Sequence, residues 1–259
     1  MVRMTLLPGL MQLKTLLNNQ LFEGLGMKVH NSSFLGINMK VVNIMVGGPV
    51  NEVPIHIIKK HQDEIWLGID YGATFLLQQG IIPAVAAGDF DSTNGNELNH
   101  LRSLVDDVRI LPAEKDVTDT QYGTKLALNE YHPDQINIFG GTGGRIDQLL
   151  ANLFMPLQDE FLDHLEKIRF IDRENTIDYY RPGKYEIVKN PRMRYLAFVN
   201  LTPVRGLTLP DEKYQLTDYD SDIPFCWSSN EFDGEINHFE FTKGVVAVIQ
   251  SFDELHGNN

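Results

Sequence analysis

Acidic residues recur between residues 70 and 147, after short apolar runs. Four consecutive runs are followed by segments that carry aspartate, and the residues concerned are Asp70, Asp89, Asp91, Asp116, Asp119 and Asp147. Carboxylates that converge on one place repel each other and cost stability unless cations neutralise them. Hard oxygen ligands suit Mg²⁺, which typically takes one or two protein carboxylates together with phosphate oxygens. The pattern therefore indicates a cation site.

The last of these segments begins with a glycine-rich turn, Gly140-Gly141-Thr142-Gly143-Gly144, followed by Arg145. The turn is predicted to join a strand to a helix, so that free backbone N–H groups at the helix start can hold a phosphate. Arg145 is well placed there to clamp phosphate oxygens. The turn is not a Walker A loop, because no Gly-Lys-Ser/Thr follows, and its glycine spacing differs from the dinucleotide fingerprint. Together with the aspartates, it predicts a magnesium–polyphosphate site.

Each feature also has a purely structural interpretation. Taken alone, Asp89 and Asp91 fit a turn with two solvated acids. Thr118 and Gln121 fit a capping box, and Asp119 lies in the first turn of the same predicted helix, where the dipole favours a carboxylate anyway. The functional interpretation rests on their conjunction, because all of these features fall on one edge of one predicted sheet.

The elements that position these residues alternate between short strands and helices over residues 39–165. The predicted strands are Val41–Val46, Ile65–Ile69, Ala84–Ala87, Val108–Leu111 and Ile136–Phe139, all short and most of them rich in Val and Ile. The predicted helices are Pro54–Gln62, Ala73–Gln79, Glu97–Leu104, Asp119–Tyr131 and Ile146–Leu165. Such alternation predicts βαβ units and an α/β fold with a mostly parallel sheet, whose carboxyl edge binds ligands.

The pattern of residue types in the sequence changes after about residue 167. The segments Ile168–Ile171, Tyr185–Val188, Tyr195–Val199, Ile236–Phe241 and Val245–Ile249 are short and rich in β-branched or aromatic residues. Turn signals such as Pro182-Gly183 and Asp233-Gly234 separate them. We predict a C-terminal all-β domain, a small sandwich or jelly roll. The expected division is an N-terminal extension (1–38), an α/β domain (39–166) and a β domain (167–259).

Composition excludes several classes of function. The formal net charge is −13, which argues against general binding of nucleic acid or anionic membrane. Cys226 is the single cysteine, so an intrachain disulfide is impossible and a reducing cytoplasm is the expected location. Within residues 1–38, Pro8 and Gly9 interrupt the best candidate for a signal peptide, and we expect a poorly ordered extension.

Several segments resemble the thiamin pyrophosphokinase family, and they occur in the order that this family shows. The matching segments are Asp70-Tyr71-Gly72-Ala73, Gly88-Asp89-Phe90-Asp91-Ser92, Lys115-Asp116-Val117-Thr118-Asp119, Gly144-Arg145-Ile146-Asp147-Gln148 and Ser229-Asn230-Glu231-Phe232. Any one of them is weak, but five in order are specific. The resemblance covers roughly residues 39–251 and implies a homodimer with active sites built from both subunits. It also implies that ATP and thiamin react to give AMP and thiamin diphosphate.

The resemblance assigns roles to individual residues. Mg²⁺ would be held by Asp89, Asp91 and Asp119, and Asp70 and Asp116 would complete the catalytic carboxylates. Phosphate or nucleotide would be bound by Ser92, Gly141, Thr142, Gly143, Gly144 and Arg145. Asp147 and Gln148 would contact the nucleotide or orient Arg145. Thiamin would be bound by Ser229 and Asn230, with Trp227 available to stack on a ring. A structural alternative for Trp227 is the core of the β domain or a dimer interface.

One position departs from the family pattern, because Tyr71 stands where the family usually has glycine. A side chain at this position can narrow the pocket and affect the choice of substrate. Two functional alternatives stay open at this point. One is a related diphosphokinase that acts on a pterin-type alcohol, and the other is a non-catalytic thiamin or nucleotide sensor on the same fold. A plain scaffold with solvated aspartates is a third.

Overall fold

The computed structural model describes residues 27–29, 39–90, 95–112 and 117–253. The chain divides into two compact units. The first, called the α/β unit, contains residues 40–179 and 251–253, and the second, called the β unit, contains residues 180–250 with 27–29 and 39. The predicted N-terminal extension (1–38) lies outside the described residues, except for the strand Met27–Val29, here β1.

The α/β unit is built on a twisted sheet of seven strands. These are β2 (Val41–Met45), β3 (Ile65–Ile69), β4 (Val85–Gly88), β5 (Val108–Ile110), β6 (Gln135–Phe139), β7 (Ile168–Ile171) and β8 (Asn175–Tyr180). Their spatial order is β8-β7-β6-β2-β3-β4-β5, and every pair is parallel except β7 with β8. The predicted parallel α/β architecture is confirmed.

Helices connect these strands. They are α1 (Ile55–Lys60), α2 (Tyr71–Gln78), α3 (Gly95–Leu104), α4 (Asp119–Leu126), α5 (Ile146–Phe154) and α6 (Asp159–Leu162). The predicted single helix Ile146–Leu165 is wrong, because α5 ends at Phe154 and Pro156 lies in the 3₁₀ turn that follows. Helix α4 continues as the π-helix Ala127–Tyr131. None of the helices in the described part of the chain is long and apolar enough to cross a membrane.

The centre of this sheet is buried on both faces. Strands β2, β3 and β6 each bury their last four residues, as expected for parallel strands with helices on both sides. One hydrophobic cluster joins Ile58 of α1 and Phe75 of α2 to Trp66 and Phe139, whose rings lie 5.3 Å apart. These contacts fix the helices against the strands and so fix the loops at the strand ends.

The chain reverses its direction of travel across the sheet between β2 and β6. From β2 it proceeds outward through β3, β4 and β5, and it then returns to place β6 on the other side of β2. In open α/β sheets, ligands bind in the crevice outside the carboxyl ends of the strands at such a switch point. The segments after β2 and β6 are Gly47-Gly48 and the glycine-rich turn, which therefore border this crevice.

The β unit contains two sheets around one core. The first has the order β1-β9-β14-β11-β12 and the second contains β13-β10-β15. Their strands are β9 (Gly183–Val188), β10 (Tyr195–Asn200), β11 (Val204–Leu209), β12 (Leu216–Ser221), β13 (Phe225–Glu231), β14 (Ile236–Phe241) and β15 (Val246–Ser251). Phe239 lies at the centre, with the rings of Tyr180, Tyr185 and Phe198 at 5.0, 5.1 and 5.3 Å. The predicted β sandwich is confirmed.

A largely buried ion pair links β7 and β8. The Nε atom of Arg169 lies 2.6 Å from Oδ1 of Asp178, and the two side chains are only 18% and 10% exposed. A pair of similar length, Lys125 with Glu160 at 2.7 Å, is exposed by 44% and 53%. The two pairs differ in burial, so they provide a matched comparison.

We predict that Asp178→Ala lowers the free energy of unfolding by about 3 kcal/mol, because it removes a carboxylate from a buried guanidinium. The control Glu160→Ala should lower it by less than about 1 kcal/mol, since solvent screens the exposed pair. Urea unfolding of both variants measures the difference. Equal losses in the two variants would show that burial does not set the strength of the Arg169–Asp178 pair.

Candidate active site

A cavity of about 640 Å³ lies at the carboxyl edge of the α/β sheet. It is bordered by the segments after β2, β4 and β6 and by the beginnings of α2, α4 and α5. The lining residues are Val46, Gly47, Gly48, Pro49, Tyr71, Asp89, Val117, Thr118, Asp119, Thr120, Gly140, Gly141, Thr142, Gly143, Gly144, Arg145, Gln148 and Asn152. Most of the residues that the sequence assigns to phosphate binding thus surround one space.

The two glycine segments pack backbone to backbone at the switch point. A Cβ atom on Gly48 would lie 1.9 Å from the carbonyl oxygen of Gly140, which excludes any other residue at position 48 without a backbone shift. Gly140 itself has a φ of +72°, in the left-handed region that favours glycine. The glycines therefore let main chain, rather than side chains, form this wall of the cavity.

Side chains from two neighbouring elements hold the glycine-rich turn in place. The hydroxyl of Thr142 donates to Oδ2 of Asp172 at 2.7 Å, and Nδ2 of Asn152 donates to the carbonyl oxygen of Gly141, also at 2.7 Å. Oδ1 of Asp172 accepts from the backbone N–H groups of Glu174 and Asn175 at 2.8 and 2.6 Å. Because Thr142 is buried and its hydroxyl is bound to Asp172, the hydroxyl holds the turn in position.

Asp172 was not identified from the sequence, although the same rule that found the other aspartates would have found it. It directly follows β7 and lies at the carboxyl end of a parallel strand. Its two carboxylate oxygens accept hydrogen bonds from Thr142 and from residues 174 and 175, so Asp172 connects the glycine-rich turn to the loop after β7.

Arg145 and Asp147 form a bidentate pair at the start of α5. Nε and Nη2 of Arg145 donate to the two carboxylate oxygens of Asp147 at 3.1 and 2.5 Å. The hydrogen bond from Arg145 lowers the pKa of the Asp147 carboxyl below its ordinary range. Arg145 lines the cavity and is 74% exposed, and Gln148 lines the cavity beside it. Asp147 therefore orients a guanidinium that is open to a ligand.

The ends of β3 and β4 bring Asp70 close to the segment that carries Asp89. Asp70 has a φ of +49°, and its Oδ1 accepts from the backbone N–H of Phe90 at 3.4 Å. Phe90 has a φ of +52° and its ring is buried against a cluster that includes Leu101. Two non-glycine residues in the left-handed region at adjacent strand ends indicate local backbone strain that the surrounding packing maintains.

Asp119 lines the cavity from the first turn of α4. The predicted capping box is confirmed, because Thr118 accepts from the N–H of Gln121 at 3.3 Å and the Gln121 side chain accepts from the N–H of Thr118 at 2.7 Å. The cap fixes the start of the helix, and Asp119 lines the cavity with Asp89. Three other predicted site residues, Asp91, Ser92 and Asp116, lie outside the described residues.

The donor set fits a metal ion that is shared with a phosphate ligand. Among the described residues, no group of three or more His, Cys, Asp or Glu side chains could hold a metal ion without other ligands. Asp89 and Asp119, however, both line the cavity that the glycine-rich turn borders. Mg²⁺ usually takes only one or two protein carboxylates and completes its shell with water and phosphate oxygens. Two carboxylates beside a phosphate-binding turn suit that mode of binding.

The segment expected to bind thiamin lies in the β unit, on β13. The register between β10 and β13 shifts between Leu196 and Phe198, which leaves an extra residue on β13. Ser229 lies in this bulge with a φ of +59° and is exposed. Trp227 is half-buried against the core, and its ring lies 4.9 Å from that of Phe225 and 5.4 Å from that of Tyr219. Bulges often re-aim side chains at binding sites.

Asn230, the neighbour of Ser229, is only 2% exposed. Its Oδ1 accepts from the N–H of Tyr214 at 2.8 Å, and its Nδ2 donates to the carbonyl oxygen of the same residue at 2.8 Å. The direct contact with an aminopyrimidine that we predict for Asn230 remains a prediction. In the structure, the amide binds the main chain of a neighbouring segment.

Glu212 belongs to the same segment and is a buried acid. It is 2% exposed, and neither carboxylate oxygen accepts a hydrogen bond from any residue that the structure describes. Burial raises the pKa of Glu212 from 4.5 to about 8. The negative charge of Asp211 contributes to this increase, whereas nearby backbone N–H groups and His238 act against it. The raised pKa favours the protonated form of Glu212 in the folded protein at neutral pH.

The geometry of the cavity defines a class of protein. Two carboxylates and a glycine-rich turn with an arginine around one cavity, at the switch point of a parallel sheet, are the arrangement of a phosphate-transferring enzyme. Family models narrow the class. Residues 58–163 match the thiamin pyrophosphokinase catalytic domain, and residues 184–246 match the thiamin pyrophosphokinase vitamin B1 binding domain.

Individual relatives agree with these matches. The chain is 37% identical over 218 residues to the thiamine pyrophosphokinase of Bacillus subtilis (strain 168), which covers 83% of this chain and 100% of the relative. The crystal structure of the Bacillus subtilis enzyme superimposes with a TM-score of 0.73 at 35% identity and covers 83% of this chain and 100% of that one. A thiamin pyrophosphokinase family protein from Enterococcus faecalis gives a TM-score of 0.78 at 41% identity, with 82% and 99% covered.

The chain therefore belongs to the thiamin pyrophosphokinase family, a family of ATP-dependent diphosphotransferases. The prediction from the sequence motifs is confirmed, and the thiamin interpretation is supported over the pterin-type alternative.

We predict that Gly88→Ala impairs turnover because it displaces the Asp70 carboxylate. A Cβ atom on Gly88 would lie 1.8 Å from Oδ1 of Asp70, and the carboxylate must rotate away. A displacement of this size in a catalytic group can lower kcat/KM by about 10²-fold. Steady-state kinetics and thermal unfolding measure the effect. The control is Gly95→Ala, where a Cβ would meet no atom of the described residues within 4 Å. Normal kcat/KM in Gly88→Ala would contradict a catalytic position for Asp70.

We predict that Glu212 makes stability depend on pH. Its pKa is about 8 in the folded protein and 4.5 when it is exposed, so the folded state binds the proton more tightly. The stability that this proton provides is complete below about pH 4.5 and is lost as the pH rises to about 8. Glu212→Gln removes the ionisation, so its stability relative to the wild type should increase over this range and level off above it. Urea unfolding at several pH values measures this, and parallel curves would contradict a buried, protonated Glu212.

Proposed function

We propose that this protein converts thiamin and ATP to thiamin diphosphate and AMP, with the cavity of the α/β unit as the ATP site. The observation that supports this most strongly is the arrangement of Asp89 and Asp119 around the same cavity as the turn Gly141–Gly144. The hydroxyl oxygen of thiamin forms a bond to the β-phosphorus of ATP, and the bond between that phosphorus and the AMP oxygen breaks. Catalysis of this kind depends mainly on positioning and charge stabilisation.

The phosphates are held by main chain and by one guanidinium. Gly141, Thr142, Gly143 and Gly144 supply backbone N–H groups at the start of α5, and Arg145 clamps phosphate oxygens in the orientation that Asp147 sets. Gln148 lines the cavity one turn further and contacts the nucleotide, and Ser92 is assigned to the same ligand. Tyr71 lies on the cavity wall and is 38% exposed, so it narrows the space available to the substrate.

The carboxylates at the strand ends are the proposed ligands of Mg²⁺. Asp89 and Asp119 would hold the ion with Asp91, and the phosphate oxygens of ATP would complete its shell. When bound, Mg²⁺ supplies positive charge that neutralises the phosphate oxygens. Asp70 and Asp116 are the candidates for orienting the thiamin hydroxyl and accepting its proton.

The β unit is the proposed source of thiamin contacts. Thiamin is a cation with two aromatic rings, so an acidic protein with exposed aromatic side chains suits it through charge attraction and cation–π contact. The exposed bulge at Ser229 offers a hydroxyl, and Trp227 lies two residues away with Phe225 and Tyr219 against its ring. The matched vitamin B1 binding domain includes all four of these residues.

A second copy of this chain is the proposed partner. Helix α5 exposes Ile146, Leu150 and Phe154 by 72%, 44% and 42%, and their spacing of four residues places them on one face. This apolar stripe adjoins Arg145 and Gln148, so a second subunit that covers it would lie beside the ATP site. We propose that the protein forms a homodimer with shared active sites. We also propose that it is located in the cytoplasm. Light scattering tests the dimer, and a fully active monomer would contradict it.

We predict that purified protein with ATP, Mg²⁺ and thiamin gives equal amounts of thiamin diphosphate and AMP, and that a chelator abolishes both. Asp119→Asn should lower kcat by about 10²-fold or more, because it weakens charge stabilisation around the phosphates. Asp159→Asn is the matched control, since Asp159 also lies in the first turn of a helix but does not line the cavity.

Chromatographic product analysis distinguishes the outcomes. ADP with thiamin monophosphate would contradict diphosphate transfer, and the absence of product from thiamin would move support to a pterin-type alcohol. Equal activity of Asp119→Asn and the wild type would contradict the assignment of Asp119 to the metal.

A further inference from the structure

A short segment between β11 and β12 is bound at both of its ends to other strands of the β unit. This segment, residues 210–214, is called the strap. At its first end, the carbonyl oxygen of Asp211 accepts from Nδ2 of Asn237 at 2.6 Å. Oδ1 of Asp211 accepts from the backbone N–H of His238 at 2.8 Å, and Oδ2 lies 2.5 Å from Nδ1 of the same histidine. Asp211 therefore ties the strap to β14.

The second end of the strap is bound to β13. Oδ1 and Nδ2 of Asn230 bind the backbone N–H and carbonyl oxygen of Tyr214, each at 2.8 Å. The side-chain amide thus makes the two hydrogen bonds that a residue of a neighbouring strand would make. The backbone N–H of Lys213 donates to the carbonyl oxygen of Glu231 at 3.1 Å, and Glu212 forms a bridge with Phe232. The strap thus runs alongside the end of β13 and continues its main-chain hydrogen bonding.

The bulge at Ser229 lies directly beside the residue that holds the strap. On one side Asn230 pairs in register with Leu196, and on the other its amide binds Tyr214. Ser229 itself has a φ of +59°, which costs free energy for a residue with a side chain and persists only when neighbouring contacts impose it. Asn230 follows Ser229 in the sequence and is 2% exposed, so its buried hydrogen bonds can impose this backbone conformation on the exposed Ser229.

We propose that the strap positions Ser229 for thiamin, and that Asn230 acts as a positioning residue through Tyr214 rather than as a direct ligand. The proposal rests on the proposed function, because it takes Ser229 as a thiamin contact. The amide of Asn230 is buried and committed to main-chain groups, whereas the exposed Ser229 hydroxyl is the group that a ligand can reach.

Asp211 provides the decisive test, because its hydrogen bonds are with Asn237 and His238 of β14 and not with the bulge. If the strap positions Ser229, loosening either end should have the same effect. We expect Asp211→Ala and Asn230→Asp each to raise the KM for thiamin about tenfold, the effect of losing buried hydrogen bonds, with kcat nearly unchanged. The double variant should show about the same tenfold increase, because either change alone already releases the strap.

Two further variants refine the comparison. Asp211→Asn keeps an acceptor for the N–H of His238, so it should raise the KM less than Asp211→Ala does. Lys213→Met removes the exposed ion pair with Glu231, whose atoms lie 2.8 Å apart, and the contact of the ammonium with the Tyr214 ring. It leaves the main-chain hydrogen bonds of the strap in place, so it should leave the KM unchanged. Hydrogen exchange at the Tyr214 N–H should accelerate in Asp211→Ala and Asn230→Asp but not in Lys213→Met.

The outcomes separate the strap from the other roles that these residues could have. A raised KM in Asn230→Asp with a normal KM in Asp211→Ala would show direct contact by Asn230 and overturn the proposal. A lowered unfolding midpoint with normal KM in both variants would show a merely structural role and also overturn it. If Asn230→Asp does not fold, the Asp211→Ala and Asp211→Asn pair decides alone. A wild type that makes no thiamin diphosphate contradicts the proposed function, whereas a fully active wild type with an unchanged KM in Asp211→Ala contradicts the strap only.

Discussion

The site depends on one electrostatic constraint, the placement of carboxylates from separate elements at the carboxyl edge of a parallel sheet. Asp70, Asp89 and Asp119 come from separate strand or helix ends, and the topology brings them to the same edge. Like charges that converge in this way destabilise the folded state unless cations offset them. A protein that gains nothing from these carboxylates would be more stable without them. Their arrangement around a cavity with a glycine-rich turn therefore points to a ligand that brings positive charge and phosphate together.

Packing and hydrogen bonds within the fold hold the backbone of both proposed binding regions in place. Strained residues occur at both proposed binding regions, with φ values of +49° and +52° at Asp70 and Phe90 and +59° at Ser229. In each case, buried neighbours hold the strained backbone. Phe90 is packed into a hydrophobic cluster, and Asn230 is bonded to Tyr214 beside Ser229. Backbone strain that packing maintains is a means of pre-organising a site before substrate arrives.

Much of the α/β unit could be predicted from the sequence, because short runs of Val and Ile with aspartate or glycine after them mark strand ends directly. The capping box at Thr118 and the glycine-rich turn could also be predicted, because both depend on residues that are close in the sequence.

Less of the β unit could be predicted from the sequence. Strands β12 and β13 expose most of their residues, so they lack an apolar alternation, and Gly206 interrupts β11. The pairing of Asn230 with Tyr214 joins residues 16 positions apart, and no local pattern encodes it. The prediction for helix α5 is too long because the apolar pattern continues past Phe154, whereas Pro156 lies in the 3₁₀ turn that follows the helix.

The most direct test of the central claim is thermal unfolding of the wild type and of Asp89→Asn, with and without Mg²⁺–ATP and in the absence of thiamin. If carboxylate repulsion is relieved by the bound ion, Asp89→Asn should unfold at a higher temperature than the wild type when neither ligand is present. Mg²⁺–ATP should then raise the unfolding temperature of the wild type and have much less effect on the variant. A ligand-free variant that is less stable than the wild type, with an equal response to Mg²⁺–ATP, would contradict the account.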